Sequence, residues 1–277
     1  MTNSTVPKSG TVDLRTGAQL YYEEQGSGPV LLLVHGMWAS CRFFHKQFAG
    51  LSSGYRVIAP DLRGHGRSSM TPAGLTMPSL AIDLKAFIDH LGITSFVGVG
   101  WSMGAFILWE YFRLFGDQGF RGHVVVDQPP SDLKSSLIPD ALLSVETFSG
   151  WQQRLMTDRN VFMAEVVPMM FAKPPAPEDA RWMHDEMTRA PESIAAAIFT
   201  DSTFRDYSEL MLGFPVPTLV CGGANSAQPK KGMELIVERV KDGVLEMFDG
   251  CAHCLFLEAP ETFNRAVERF ERRLAPR

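Results

Sequence analysis

Short runs of almost unbroken apolar residues recur along the chain, at 30–34, 55–60, 95–99, 122–126, 218–221 and 244–248. Runs of this length read as strands buried on both faces rather than as amphipathic surface strands. Between them stand segments with helical spacing, at 41–51, 80–91, 106–115, 229–240 and 260–274. In the second of these, Leu80, Leu84, Phe87, Ile88 and Leu91 share one face, and Gly92 follows as a C-cap. Strands alternating with helices predict a mostly parallel central sheet flanked by helices on both faces, an α/β fold. The pieces 11–14 and 19–23, split by Thr16-Gly17, predict an antiparallel hairpin at one edge. Residues 1–10 are polar and are expected to be poorly ordered.

The alternation stops between about Pro130 and Gly213. Segments 137–145, 151–156, 160–171 and 177–189 read as helices there, with Pro174, Pro175 and Pro177 breaking the last two apart, and no strand is predicted. The organisation expected is therefore a core of residues 1–130 and 214–277 with a helical lid at 131–213. Seven of the 14 methionines fall in that insertion (Met156, Met163, Met169, Met170, Met183, Met187 and Met211), beside Phe162, Phe171 and Trp182. They serve either as lid core or as the roof of an adaptable apolar pocket.

Composition narrows the function classes. The chain has 277 residues, a formal net charge of -5 and no basic tract, so a nucleic-acid partner is not expected. No apolar run is long enough to span a bilayer, and the first eight residues lack the apolar core of a secretory signal, so a cytoplasmic protein without a membrane partner is expected. Four cysteines in a chain of this length do not make a disulfide framework. Cys251-Ala252-His253-Cys254 has no second ligand cluster elsewhere, so no metal site is expected. The oligomeric state is not legible.

The candidate chemistry centres on Gly100-Trp101-Ser102-Met103-Gly104, which joins an apolar strand to a helix. A G-x-S-x-G turn in that context perches a serine at the helix start, with the flanking residues nearly free of side chain. Ser102 is the candidate nucleophile; the alternative is that the two glycines only permit tight strand–helix packing. A serine needs a base and a group to orient that base. His253, in the loop after the last strand, is the candidate base. For the acid, Asp127 directly follows Val124-Val125-Val126, where burial demands a partner; Asn225, after the strand at 218–221, stands where many enzymes of this shape carry an aspartate. Asp127 is favoured over Asn225 or a relocated acid. The backbone N–H groups of Met37 and Met103 are the expected oxyanion donors. Trp38, Trp101, Met156, Phe162 and Trp182 are the expected pocket residues, while His35 and His65 read as structural.

These motifs give the chain, from about residue 12 to 274, a resemblance to the α/β-hydrolase fold superfamily. The marks are His35-Gly36, Asp61-Leu62-Arg63-Gly64-His65-Gly66-Arg67-Ser68, the Ser102 turn and Gly250-Cys251-Ala252-His253. The resemblance implies Ser102 as nucleophile, His253 as base and Met37 and Met103 as oxyanion donors. Ser102 sets aside the epoxide hydrolase and haloalkane dehalogenase branches, which carry an Asp nucleophile. An acid after the sixth strand is similar to a minority branch that includes lactonases and esterases. It also includes cofactor-free dioxygenases of 3-hydroxy-4-oxoquinolines, although those resemble a pattern with His on both sides of the Ser, where Trp101 and Met103 stand here. The expected function is a serine hydrolase cleaving an ester or lactone of a small hydrophobic substrate, without cofactor. The alternatives are the dioxygenase and a non-catalytic ligand receptor on the same fold.

Overall fold

The structure, a computed structural model, describes residues 6–274. The chain opens with β1 (Lys8–Asp13) and β2 (Gln19–Gln25), an antiparallel hairpin turned at Gly17. The first strand starts earlier than expected because Lys8 pairs with Glu24 and Ser9 with Glu23; of the polar N-terminal stretch, residues 1–5 lie outside the described residues. Then come β3 (Val30–Val34), a 3-10 turn at Cys41–Phe44, α1 (His45–Leu51), β4 (Arg56–Pro60), α2 (Met77–His90), β5 (Phe96–Trp101), α3 (Met103–Phe115) and β6 (Phe120–Val126). Helix α2 begins three residues before the apolar stripe because the Thr76 side chain caps it, accepting from the Ser79 N–H.

Four helices lie between β6 and the next strand: α4 (Val145–Thr157), α5 (Arg159–Met169), α6 (Pro177–Met187) and α7 (Glu192–Thr203). The helix expected at 137–145 is absent. That segment contains Pro139, and Leu143 instead bridges to Leu133. Helix α7 was not expected, although Pro191 before it and the run Ala195-Ala196-Ala197 within it are the signals that mark it. A 3-10 turn at Leu210–Gly213 leads to β7 (Thr218–Gly223), α8 (Lys230–Arg239), β8 (Gly243–Phe248), the short α9 (Leu255–Glu258) and α10 (Pro260–Arg273).

The eight strands form one sheet in the order β1-β2-β4-β3-β5-β6-β7-β8, parallel from β4 onward. Period-two alternation sends each apolar run to two cores. Leu31, Leu33, Val97, Val99, Val124 and Val126 pack toward α1 and α10, through Phe48, Phe263 and Phe270. Leu32, Val34, Phe96 and Val125 pack the other way, toward α2, α3 and α8, through Leu84, Phe106 and Ile236. That is why these strands read as continuous rather than alternating. Parallel strands in register also bring their carboxyl ends to one edge of the sheet, where β3, β5 and β6 deliver His35, Ser102 and Asp127. No helix among the described residues is long and apolar enough to cross a membrane.

Candidate active site

The strand-to-helix turn is built by sterics. A Cβ on Gly104 would lie 2.1 Å from the Val34 carbonyl oxygen, and one on Gly100 would lie 2.6 Å from the Ala105 nitrogen. Only glycines let α3 begin this close to β3 and β5. Ser102 between them is held at φ +54 and ψ -129. Met103 is the first residue of α3, where the helix ladder leaves N–H groups unused.

Among the described residues three non-glycine positions have positive φ: Trp38 at +60, Ser102 at +54 and Asp127 at +52. They follow β3, β5 and β6, three neighbouring strands. Backbone strain is thus concentrated on one stretch of the sheet edge.

His253 Nδ1–H donates to Asp127 Oδ2 at 2.7 Å. Asp127 is fully buried, and two more donors hold it: Gly223 N–H to Oδ1 at 2.9 Å and Ser226 Oγ–H to Oδ2 at 2.5 Å. A buried carboxylate held by three donors is satisfied. The bond to Nδ1 leaves Nε2 of His253 as the nitrogen available to a hydroxyl. Asn225, the other acid position considered, is exposed, and its backbone N–H donates to the Cys251 carbonyl. Ser226 was not among the expected site residues; its place one residue beyond Asn225 is the only mark of it in the sequence.

The loop carrying His253 is tied on several sides. Trp101 Nε1–H donates to the His253 carbonyl at 3.1 Å. Glu258 accepts from the Ala252 N–H at 2.6 Å and from the Ala172 N–H at 2.8 Å, joining this loop to the segment after α5.

Ser102, His253, Gly36, Met37, Trp38 and Trp101 line one cavity of about 120 Å³. Its remaining wall is mostly apolar and includes Leu142, Leu143, Trp151, Val166, Met169, Met170, Met187 and Phe199. Of the expected pocket residues, Trp38 and Trp101 are there and three are not. Met156 is 52% exposed, facing outward next to the buried Leu155. Phe162 packs behind the cavity, against Trp38 and Trp151. Trp182 packs on Phe43, beneath the Arg42 guanidinium. Trp151 and Phe199, on α4 and α7, were missed; on α7 the helix itself went unrecognised.

The other motif residues serve the scaffold. His35 is fully buried; its Nδ1–H donates to the Gly36 carbonyl and its Nε2 accepts from the Leu62 N–H. Burial pushes its pKa down to about 4 and that of His65 to about 3, so both are neutral imidazoles. Asp61 accepts from the backbone N–H groups of Cys41 and Arg67. Arg63 pairs with Asp83 through two bonds of 2.7 Å in a buried setting. Among the described residues no group of three or more His, Cys, Asp or Glu side chains is arranged to hold a metal ion.

Comparison with known proteins gives the family. The chain is 29% identical to a non-heme haloperoxidase from Rhodococcus erythropolis, over 92% of this chain and 96% of that protein. It is 28% identical to a bifunctional esterase/perhydrolase from Acinetobacter calcoaceticus, over 95% and 99%. The structure superposes on a bromoperoxidase from Bacillus anthracis with a TM-score of 0.89 at 25% identity, covering 96% and 99% of the two chains. The sequence model described as the alpha/beta hydrolase family matches residues 31–266, which runs from β3 into the last helix and takes in every strand-end group described above. This chain belongs to the alpha/beta hydrolase family.

Proposed function

We propose that the protein is a carboxylic ester hydrolase, cleaving an ester or lactone of a small hydrophobic substrate through an acyl-enzyme. The observation that carries this reading is the strained Ser102, which shares an apolar cavity with a histidine whose other ring nitrogen is bound to a buried carboxylate. Ser102 Oγ attacks the carbonyl carbon as His253 Nε2 takes its proton. The tetrahedral oxyanion is held by the backbone N–H groups of Met103 and Met37. His253 then returns the proton to the leaving alcohol as the C–O bond breaks. Water, losing a proton to His253, attacks the acyl-enzyme and releases the acid and the free serine. Asp127 fixes the Nδ1–H tautomer and stabilises the imidazolium formed in each half. In this reading residues 131–213 serve as a lid, and Trp151, Met187 and Phe199 favour an apolar substrate. The test is pre-steady-state hydrolysis of 4-nitrophenyl butyrate: a burst of one nitrophenolate per chain is expected, and linear release at a rate unchanged in Ser102→Ala would refute it.

A second reading follows from the esterase/perhydrolase relative. Hydrogen peroxide in place of water would attack the same acyl-enzyme, giving a peracid and the free serine. Peracid formation from 4-nitrophenyl acetate and hydrogen peroxide, lost in Ser102→Ala, would support it.

A further inference from the structure

The cavity wall carries one polar corner that the reaction above does not use. Asp132 lines the cavity with Ser102 and His253, yet it is only 9% exposed. Gln128 Nε2–H donates to Asp132 Oδ1 at 2.8 Å, and the Gln228 side chain stands beside the same carboxyl group on the cavity wall. No lysine or arginine lines the cavity. Burial pushes the Asp132 carboxyl above its usual range, the nearby His253 and the two glutamines opposing this. Gln128 and Gln228 are themselves more than nine-tenths buried, and Oε1 of each has no hydrogen-bond partner among the described residues. Of these groups Asp132 and Gln228 face the cavity and Gln128 stands behind them, so the corner presents a carboxyl group with no cationic side chain to pair it. Buried polar groups are expensive to leave unmatched, and a site built around them discriminates strongly for a molecule that supplies the missing donor.

We propose that Asp132, braced by Gln128 and flanked by Gln228, is a specificity-determining residue that accepts a hydrogen bond from a hydroxyl on an otherwise apolar substrate. The substrate class is then a hydroxylated hydrophobic ester rather than a plain alkyl or aryl one. This rests on the reading of the cavity as the ester site, but its test need not involve turnover. The Met- and Trp-lined wall holds the apolar body, and the corner selects orientation.

The experiment uses 4-nitrophenyl 3-phenylpropanoate, its three ring-hydroxylated forms and its trimethylammonio form, which offers charge without a donor. Dissociation constants are measured by calorimetry on the full chain carrying Ser102→Ala, and kcat/KM on the protein with Ser102 intact. At least one hydroxylated form is expected to be favoured over the parent ester by about tenfold or more in both measurements. The preference is expected to collapse to within about twofold in Asp132→Leu. In Asp132→Asn, which keeps one carbonyl acceptor in the same place, an intermediate preference is expected, and this variant serves if the leucine variant does not fold. Equal affinity for all four neutral esters would overturn the proposal, as would an undiminished preference in both variants or a preference for the trimethylammonio form. A calorimetric preference with no hydrolysis by the intact protein would leave Asp132 as a binding residue and sink the hydrolase reading instead.

Discussion

Ser102 and Asp127 occupy equivalent places on neighbouring strands: Trp101 and Val126 are register partners, and the next residue of each strand turns to positive φ, +54 and +52. Each is anchored to the strand beside it, Ser102 N–H donating to the Val126 carbonyl at 3.0 Å and Asp127 N–H to the Cys221 carbonyl at 2.8 Å. The sheet thus holds both groups in conformations that L-residues avoid. If that strain serves chemistry rather than folding, relieving it should stabilise the protein. Ser102→Gly is expected to melt higher than Ser102→Ala, by about 1 kcal/mol in thermal unfolding, because only glycine adopts this backbone freely. An alanine variant as stable as the glycine variant would show that the turn carries no strain.

Asp127 rather than Asn225 holds the His253 ring. Asp127→Asn is expected to lower kcat/KM for 4-nitrophenyl butyrate by about a hundredfold or more, since an amide neither fixes the tautomer nor stabilises the imidazolium. Asn225→Ala is expected to stay within about twofold. The reverse ranking in the same assay would move the acid to the loop after β7.

The strands and their end residues were legible because fully apolar runs have few other uses and because glycine spacing announces the Ser102 turn. The edge hairpin and most helices followed from the same pattern. What failed lay between β6 and β7. Helix α7 carries Ala195, Ala196 and Ala197, residues that favour a helix without marking which face is buried, and residues 137–145 read as a helix although Pro139 interrupts them. The pocket suffered accordingly. Met156 and Trp182 have the right chemistry for a roof, but which side of a helix meets the cavity is decided by how the inserted helices pack on one another. Asp132 was invisible for a related reason: a lone aspartate in a loop gives no hint that two glutamines enclose it.

Three histidines, His35, His65 and His123, are fully buried, with pKa values pushed down to about 4, 3 and 3 by burial. Their folded values lie below the unfolded value near 6.5, so the unfolded chain binds more protons as pH falls. Stability is full above about pH 6.5 and declines through the window down to about pH 3 to 4. His123 sits among Trp109, Phe120 and Phe214, with neither ring nitrogen hydrogen-bonded among the described residues. His123→Leu is expected to raise stability at pH 5 by about 2 kcal/mol more than at pH 8. Parallel urea titrations at the two pH values measure this; an equal shift at both would contradict it.

Trp151 lines the cavity, and Met156, one and a half turns further along α4, faces solvent. Trp151→Ala is expected to raise KM for 4-nitrophenyl butyrate about tenfold or more, whereas Met156→Ala leaves KM and kcat within about twofold. Equal effects would mean that the wall of the cavity is drawn wrongly.

An activated Ser102 oriented through His253 and Asp127 should react covalently with a fluorophosphonate, and intact mass after incubation reads this out. One adduct is expected on the unsubstituted chain, none on Ser102→Ala, and labelling of Asp127→Asn slower by about a hundredfold or more. An unsubstituted chain that takes no adduct, or an Asp127→Asn variant that labels at the same rate, would contradict it.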